Sequence, residues 1–241
     1  MMWAFVLFAV VLASAAFWEL WICEGAHLGR RFVVWMYDLA ASRYDGIKQF
    51  NEDWERTFLG EPIAQSMGSL DEPRILDIGA GTGRSARSFL PWSGFDGLFV
   101  SLEPSERMLE LGRRKTKDTK VKWVRGWSDP LPFAGDTFDL VLSIEMLEFS
   151  PDPSRVLTEI SRVIRPGGWA LVTNRIGWQA RWILGHTFAR ERFPEYLRKL
   201  GLRDVQVYRW QVDYDLAWAR KSWPQETEER RHEDRPIPSS A

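Results

Sequence analysis

The stretch Arg74-Ile75-Leu76-Asp77-Ile78-Gly79-Ala80-Gly81-Thr82-Gly83 sets a short apolar run directly before three glycines at alternate positions. The run from Ile75 to Ile78 has the length of a buried strand, and the residues from Arg84 to Leu90 continue with helical spacing. A strand that becomes a helix through glycines can turn tightly and bring its backbone close to a ligand. The helix start beyond it offers free N–H groups and a positive dipole end to a carboxylate or phosphate. Glu103 follows 20 residues after Gly83, at the end of the next apolar run, Gly97 to Leu102. A carboxylate there can accept both hydroxyls of a ribose. A strand-end surface acid is the plainer reading of Glu103, and the glycines in frame with it favour the ligand.

Outward from this stretch, short apolar runs keep alternating with helical segments. A helix is expected over Ser105–Lys115, strands over Val121–Val124 and Phe138–Ser143, a helix over Ser154–Ile164 and a strand over Trp169–Thr173. A helix over Pro194–Leu200 and two last strands, Val205–Val212 and Asp215–Ala219, complete the pattern. Alternation of this kind implies α/β architecture with helices on both faces of a parallel sheet. The expected fold is Rossmann-like and doubly wound. Its sheet has seven strands, mostly parallel, with an antiparallel strand at the C-terminal end.

Composition removes several function classes. With 45% hydrophobic and 27% charged residues among 241, the chain is neither wholly disordered nor fibrous. A formal charge of −1 argues against a dedicated nucleic-acid binder, so no nucleic-acid partner is expected. One cysteine, Cys23, excludes a disulfide framework, and three histidines leave little for a histidine-rich metal centre. Fourteen tryptophans are the unusual count. Tryptophan favours boundaries between apolar and wet surroundings, which makes a membrane or a greasy ligand worth testing.

Residues 1–18 carry no charged side chain and are almost wholly apolar. Eighteen residues at ~1.5 Å each just cross a hydrocarbon core. Trp18, Trp21, Glu19 and Glu24 then mark an interface, and Arg30 and Arg31 follow it. Arginines on this side alone place the rest of the chain in the cytoplasm, behind a single-pass anchor. A cleaved signal peptide competes, since Ala13-Ser14-Ala15 resembles a cleavage site, but the positive leader is missing. A buried core helix would show a polar face, and none is present. Cys23, at the expected membrane edge, reads as an inert small residue or as a lipidation site.

At the far end, residues 224–241 hold five acids, three arginines and three prolines, and cannot bury a core. A disordered, charged tail is expected there.

The glycine spacing is G-x-G-x-G, and further segments share its frame. ILDIGAGTG (75–83), SLEPSERML (101–109), GWSDPLPFAGDTFDLVLS (126–143), EMLEFSPDP (145–153) and RVIRPGG (162–168) together resemble class I S-adenosylmethionine-dependent methyltransferases. The subgroup most similar contains the ubiquinone/menaquinone and other small-molecule methyltransferases, whose Y-D-x-x-A-x-x-Y-D opening Tyr37 to Asp45 also resembles. The resemblance runs over roughly residues 35–220. It implies that Asp77 organises the turn, that Gly79, Ala80, Gly81 and Gly83 line the methionine moiety, and that Glu103 takes the ribose hydroxyls. Pro104 would lie beside the adenine with Ser105, and Ser143 would close the cofactor site at the fourth strand. On this resemblance the chain divides into anchor and interface (1–28), N-terminal helices over the cofactor and acceptor site (29–70), methyltransferase core (71–223) and tail (224–241).

Two departures bear on the chemistry. After the third strand the family commonly places an acid or amide against the adenine amino group. Here Trp127 and Ser128 occupy those positions and Asp129 follows. Indole is donor-only, so either backbone groups and Trp127 packing hold the adenine or Asp129 substitutes. Glu145 to Phe149 is similar to the family's E-V-L-E-H stretch, with phenylalanine where histidine is frequent. No metal is expected, although carboxylates and water could build a magnesium site.

Without that histidine, Tyr37, Tyr44 and Glu148 remain as candidates to contact the acceptor. The tyrosines also read as plain packing over the pocket. An amine, thiolate or acidic phenol reacts with little base assistance, whereas an alcohol needs a base.

The segment from Asn174 to Arg203 carries seven basic residues with Trp178 and Trp182, which suits an anionic headgroup zone or a packed core equally. A second basic run, Arg113 to Arg125, reads as a solvated helix end. The expected function is a membrane-anchored methyltransferase using S-adenosyl-L-methionine on a lipophilic small-molecule acceptor: a quinol-type phenol, a lipid amine or an alkyl thiol. The competing expectation is a non-catalytic methyltransferase-like subunit that scaffolds a membrane complex.

Overall fold

The computed structural model describes residues 1–68 and 70–224. Seven strands form one sheet: β1 (Arg74–Ile78), β2 (Leu98–Glu103), β3 (Val121–Arg125), β4 (Phe138–Ser143), β5 (Ile164–Arg175), β6 (Leu202–Trp210) and β7 (Tyr214–Lys221). Their order is β3-β2-β1-β4-β5-β7-β6. The first five pair in parallel, and β7 runs antiparallel to both of its neighbours, β5 and β6. The helices are α1 (Met2–Phe17), α2 (Arg30–Ala40), α3 (Tyr44–Lys48), α4 (Glu52–Glu55), α5 (Glu61–Met67), α6 (Arg84–Ser93), α7 (Glu106–Thr116), α8 (Pro153–Val163) and α9 (Phe193–Lys199). This is the Rossmann-like, doubly wound α/β fold that the alternating pattern implies.

The central strands are apolar because both faces are covered. All six residues of β4 are buried. Along β1, Ile75 enters the core that holds Phe89 and Phe99, while Leu76 enters the opposite core with Val156 and Ile160. That alternation is the two-residue period of a strand read out on two hydrophobic layers. Removing one such side chain, as in Leu76→Ala, costs about 2–5 kcal/mol through lost burial and the cavity left behind.

Helix α8 follows from its sequence in the same way. Asp152 Oδ1 caps its start by accepting from the N–H groups of Ser154 and Arg155, and Pro153 occupies the first turn. Val156, Leu157, Ile160 and Val163 then bury one face against the sheet.

Several boundaries differ from the sequence expectation. α8 stops at Val163, and β5 begins at Ile164 rather than Trp169. Ile164 pairs with Phe138, and a register shift between Phe138 and Leu140 accommodates the Pro-Gly-Gly run before Trp169. β6 starts at Leu202 and ends at Trp210, short of Val212, because the chain already turns there with Gln211 at φ 54°.

Strand order reverses between β1 and β4: β2 and β3 lie to one side, β5 to the other. In such sheets the crevice beyond the carboxyl ends of these strands is where ligands bind.

Met2–Ile22 is a single helical segment of 21 residues, long and apolar enough to cross a membrane. None of the residues of α1 is buried. Its exit is docked on the domain, not free. Cys23 and Ala26 pack with Ile183, Cys23 Sγ donates to the Trp182 carbonyl at 3.4 Å, and His27 lies 2.9 Å from Glu19 and 3.2 Å from the Leu184 carbonyl. Arg175, the last residue of β5, donates to Glu24 at 3.1 Å. The expected tail beyond Pro224 lies outside the described residues.

Candidate active site

A cavity of about 340 Å³ opens at the carboxyl ends of β1, β2 and β4. That is within the usual span of small-ligand sites, about 300–1,000 Å³. The turn after β1 forms its floor, with Gly79 at φ 69° and Gly81 at φ 54°. A Cβ on Gly79 would stand 2.5 Å from Met146 Cγ, so nothing larger fits without moving the wall. Glu103 closes the turn: its Oε2 accepts from the Gly81 N–H and its Oε1 from the Ser105 N–H, both at 2.8 Å. Burial pushes the Glu103 carboxyl up to about 7, against the pull of those two N–H groups, and Asp38 adds to the push.

Asp77 lies beneath the turn, 2% exposed, and not on the cavity wall. Burial raises it to about 7 as well, opposed by the Ser85 hydroxyl and assisted by Glu103. Ala80 is buried between the two lining glycines. Gly83 caps α6 with its open side toward Thr116 and Trp123, away from the cavity. Ser143 is fully buried at the end of β4 and does not reach the cavity wall.

Pro104, Trp127, Ser128 and Asp129 form the wall beyond β2 and β3. The Arg30 guanidinium lies 4.6 Å above the Trp127 ring and donates to the Asp129 carbonyl at 3.2 Å. The Asp129 carboxylate pairs with Arg155 at 3.0 Å. The indole is therefore held under a cation, while the nearby acid is already matched by an arginine.

Three aromatic rings cover the opposite side. The Tyr37 ring lies 5.8 Å from that of Tyr44, tilted, and 5.7 Å from that of Phe149, edge to face, and all three line the cavity. Burial drives both phenols well above their ordinary pKa, with Tyr44 adding to it at Tyr37 and Glu145 at Tyr44. At neutral pH both remain protonated, so they can position a substrate but cannot take its proton. Glu148 points elsewhere: it is 1% exposed, accepts from the Tyr214 hydroxyl and lies 3.8 Å from Arg175. Its neighbour Phe149 faces the cavity instead.

Residues 76–172 match the family model described as "Methyltransferase domain". Over this segment, about two fifths of the chain, the sequence is similar to methyltransferase domains. A 2-methyl-6-phytyl-1,4-hydroquinone methyltransferase of Oryza sativa is 32% identical over 145 residues, 56% of this chain and 40% of that protein. A demethylmenaquinone methyltransferase of Renibacterium salmoninarum is 31% identical over 140 residues, 58% of this chain and 57% of that one. The chain thus spans about half the length of the curated relatives it matches. Among solved structures, a possible histamine N-methyltransferase from Thermotoga maritima superposes with a TM-score of 0.53 at 22% identity, over 78% of this chain and 100% of that one.

Beside the cavity lies a polar cluster of which the sequence patterns singled out Glu145 alone. Arg84, the first residue of α6, donates to both oxygens of Glu55 at 2.6 and 2.7 Å and to Glu145 at 2.7 Å. Phe50 lies under the guanidinium at 4.4 Å. Glu145 lines the cavity. Burial pushes its carboxyl up, but Arg84, Lys48 and Trp210 together outweigh this and hold it below the usual range. Asp45 works similarly on the turn, accepting from Thr82 at 2.5 Å, Lys115 at 2.7 Å and Arg87 at 2.9 Å. Apart from Glu145, the position of Arg84 directly after the glycines was the only local signal for this cluster. Its partners come from α4 (Glu55), the turn before it (Phe50) and the segment after β4 (Glu145), at spacings that carry no period.

Outside the cavity, ligand atoms of Glu19, Cys23 and His27 lie within 4.8 Å of one another. They already bond to each other or to the carbonyls of Trp182 and Leu184. Burial, then Glu19, pushes the Cys23 thiol up to about 11, which makes it an unreactive group.

Proposed function

We propose that this chain is an S-adenosylmethionine-dependent methyltransferase, held at a membrane by its N-terminal helix, that acts on a lipophilic acceptor. The observation that carries the reading is Glu103, a buried carboxylate at a cavity wall, bonded to the glycine turn at the point where strand order reverses. The residues present fit the methyl donor. Gly79 and Gly81 form a backbone cradle that a Cβ on Gly79 would disturb, Glu103 keeps a free lone pair on each oxygen for ribose hydroxyls, and Trp127 offers an aromatic wall. When bound, S-adenosylmethionine supplies an electrophilic methyl group on a sulfonium.

The cavity wall supports an acceptor that brings its own nucleophile. Among the described residues, no histidine lines it. Tyr37 and Tyr44 stay protonated, Glu145 is locked to Arg84, and Asp129 is paired with Arg155. What these residues provide is orientation, which alone can supply a large part of such a barrier reduction. A phenol that ionises readily, an amine or a thiol matches this wall, and an unactivated alcohol does not. The two relatives described above are named for a hydroquinone with a phytyl chain and for demethylmenaquinone, which supports the quinol-type phenol.

The exposed apolar helix supports anchoring, and Arg30 and Arg31 after it favour a cytoplasmic domain. Calorimetry of the full-length chain in detergent with S-adenosylmethionine and S-adenosylhomocysteine tests the donor. Binding of both is expected, and absence of binding at millimolar ligand would leave the scaffolding role instead. Incubation with membrane extract and methyl-labelled donor then tests the acceptor. Label confined to water-soluble products would refute the lipophilic class.

A further inference from the structure

We infer that α2 and the loop after β5 form a second membrane contact, lying in the headgroup zone of the bilayer that holds α1. This rests on the reading of α1 as a membrane helix, but not on methyl transfer.

Helix α2 has three distinct sides. Val33, Val34 and Tyr37 line the cavity. Phe32 and Met36 pack toward Gly25 in the exit segment, where a Cβ would meet them at 2.9 and 3.0 Å. The remaining side carries Arg31, Trp35 and Leu39 at spacings of four residues that place them in one stripe, and exposed Leu28 lies two residues before the helix. Trp35 and Leu39 are more than half exposed. The loop after β5 repeats this chemistry with Trp178, Trp182 and Leu184 exposed around Arg181.

Position selects the bilayer as occupant. The loop is bonded to the exit of α1 through Cys23 to Trp182 and His27 to Leu184, and Leu28 follows His27 directly. The exit is also fixed to Arg175, at the carboxyl end of β5, the same end of the sheet as the cavity. A membrane reached through α1 therefore faces these tryptophans and leucines at close range. Exposed Trp and Leu interleaved with Arg is the composition of an interfacial helix, with the rings at headgroup depth and the guanidinium on anionic lipid. Since α2 presents its other side to the cavity, the wall over the site and the surface on the bilayer are one helix.

The test uses the full-length chain in phosphatidylcholine vesicles, with and without phosphatidylglycerol. Variants that each add one cysteine to the native Cys23, Trp35→Cys, Leu39→Cys and Trp182→Cys, carry a nitrobenzoxadiazole label at the new site, with Asp71→Cys at the opposite end of the sheet as the aqueous control. The wild-type chain, whose Cys23 is buried, gives the background. Melting temperatures check that each variant is folded. Quenching by doxyl-labelled lipid several-fold stronger at positions 35, 39 and 182 than at 71, with the reverse order for iodide, is the expected result. Equal iodide quenching at all four sites in vesicles that retain the chain through carbonate washing overturns the contact and leaves the anchor standing. Loss of the chain on carbonate washing overturns both. Shielding from both quenchers means that protein, a second copy included, covers the surface, and also overturns the proposal.

Discussion

The backbone N–H of Gly81 donates to Glu103 Oε2 at 2.8 Å, so the acid ending β2 grips the turn that ends β1. The same carboxylate is thus both the brace of the cradle and the acceptor offered to a ribose. Glu103→Gln keeps the size but turns an amide N–H toward one of two backbone donors, leaving that donor unmatched. Charge-assisted bonds of this kind contribute about 1.5–3 kcal/mol, so donor affinity should fall roughly 10- to 100-fold. Calorimetry with S-adenosylhomocysteine measures it, and an unchanged affinity would remove Glu103 from the site.

The protonation of Glu103 sets a pH profile. Burial raises it to about 7, so the free site binds a proton there as pH falls. Ribose hydroxyls need the ionised form, and donor binding should expel that proton. Affinity is expected to climb as pH rises through about 7 and to level off above it, with proton release on binding near pH 6.5 seen as a buffer-dependent heat. A flat profile between pH 6 and 8 contradicts this.

Arg84 is the centre of the buried network under the site. Arg84→Met leaves Glu55 without its cation and Glu145 with Lys48 alone. Breaking one side of a buried pair costs about 3–5 kcal/mol, which denaturant titration resolves. Arg84→Lys should recover only part of the loss, because an ammonium cannot grip both Glu55 oxygens as the planar fork does. A change no larger than that of a surface substitution would mean that the network adds nothing.

Glu148 separates a structural from a chemical acid. It is closed in by Tyr214 and Arg175 behind the cavity. Glu148→Gln should lower the melting temperature while leaving donor affinity and turnover of any accepted quinol close to those of the parent chain. The opposite pattern, a stable protein with lost turnover, returns this carboxylate to the chemistry.

Much of the fold was legible before any coordinates, for reasons visible in particular residues. β1 and β4 are buried on both faces, so Ile75–Ile78 and Phe138–Ser143 read as unbroken apolar runs, and the glycines after β1 mark where the sheet meets its ligand. β5 was harder, because Arg165-Pro166-Gly167-Gly168 looks like a turn and is a strand only through pairing across a register shift. Glycines at equal spacing also proved unequal: Gly79 and Gly81 face the cavity, and Gly83 faces Trp123. The direction of Glu148 depends on Tyr214, 66 residues away, and the Arg84 cluster on three separate elements. Such contacts leave no period in the chain. Glu19, Cys23 and His27 recur every fourth residue, but Glu24 and Gly25 at φ 52° and 77° end the helix between them, and the turn rather than a helical side brings them together beside the 182–186 loop.

The bond from Arg175 to Glu24 joins the end of β5 to the base of the N-terminal helix. On the membrane reading, that joint, with the Cys23 and His27 bonds beside it, restrains the swing of leg against body and holds the mouth of the cavity near one height above the lipid. The enzyme would then sort its substrates by depth. A reactive atom carried at headgroup level on a long tail meets the site, while the same atom sunk among the acyl chains or dissolved in water passes it by.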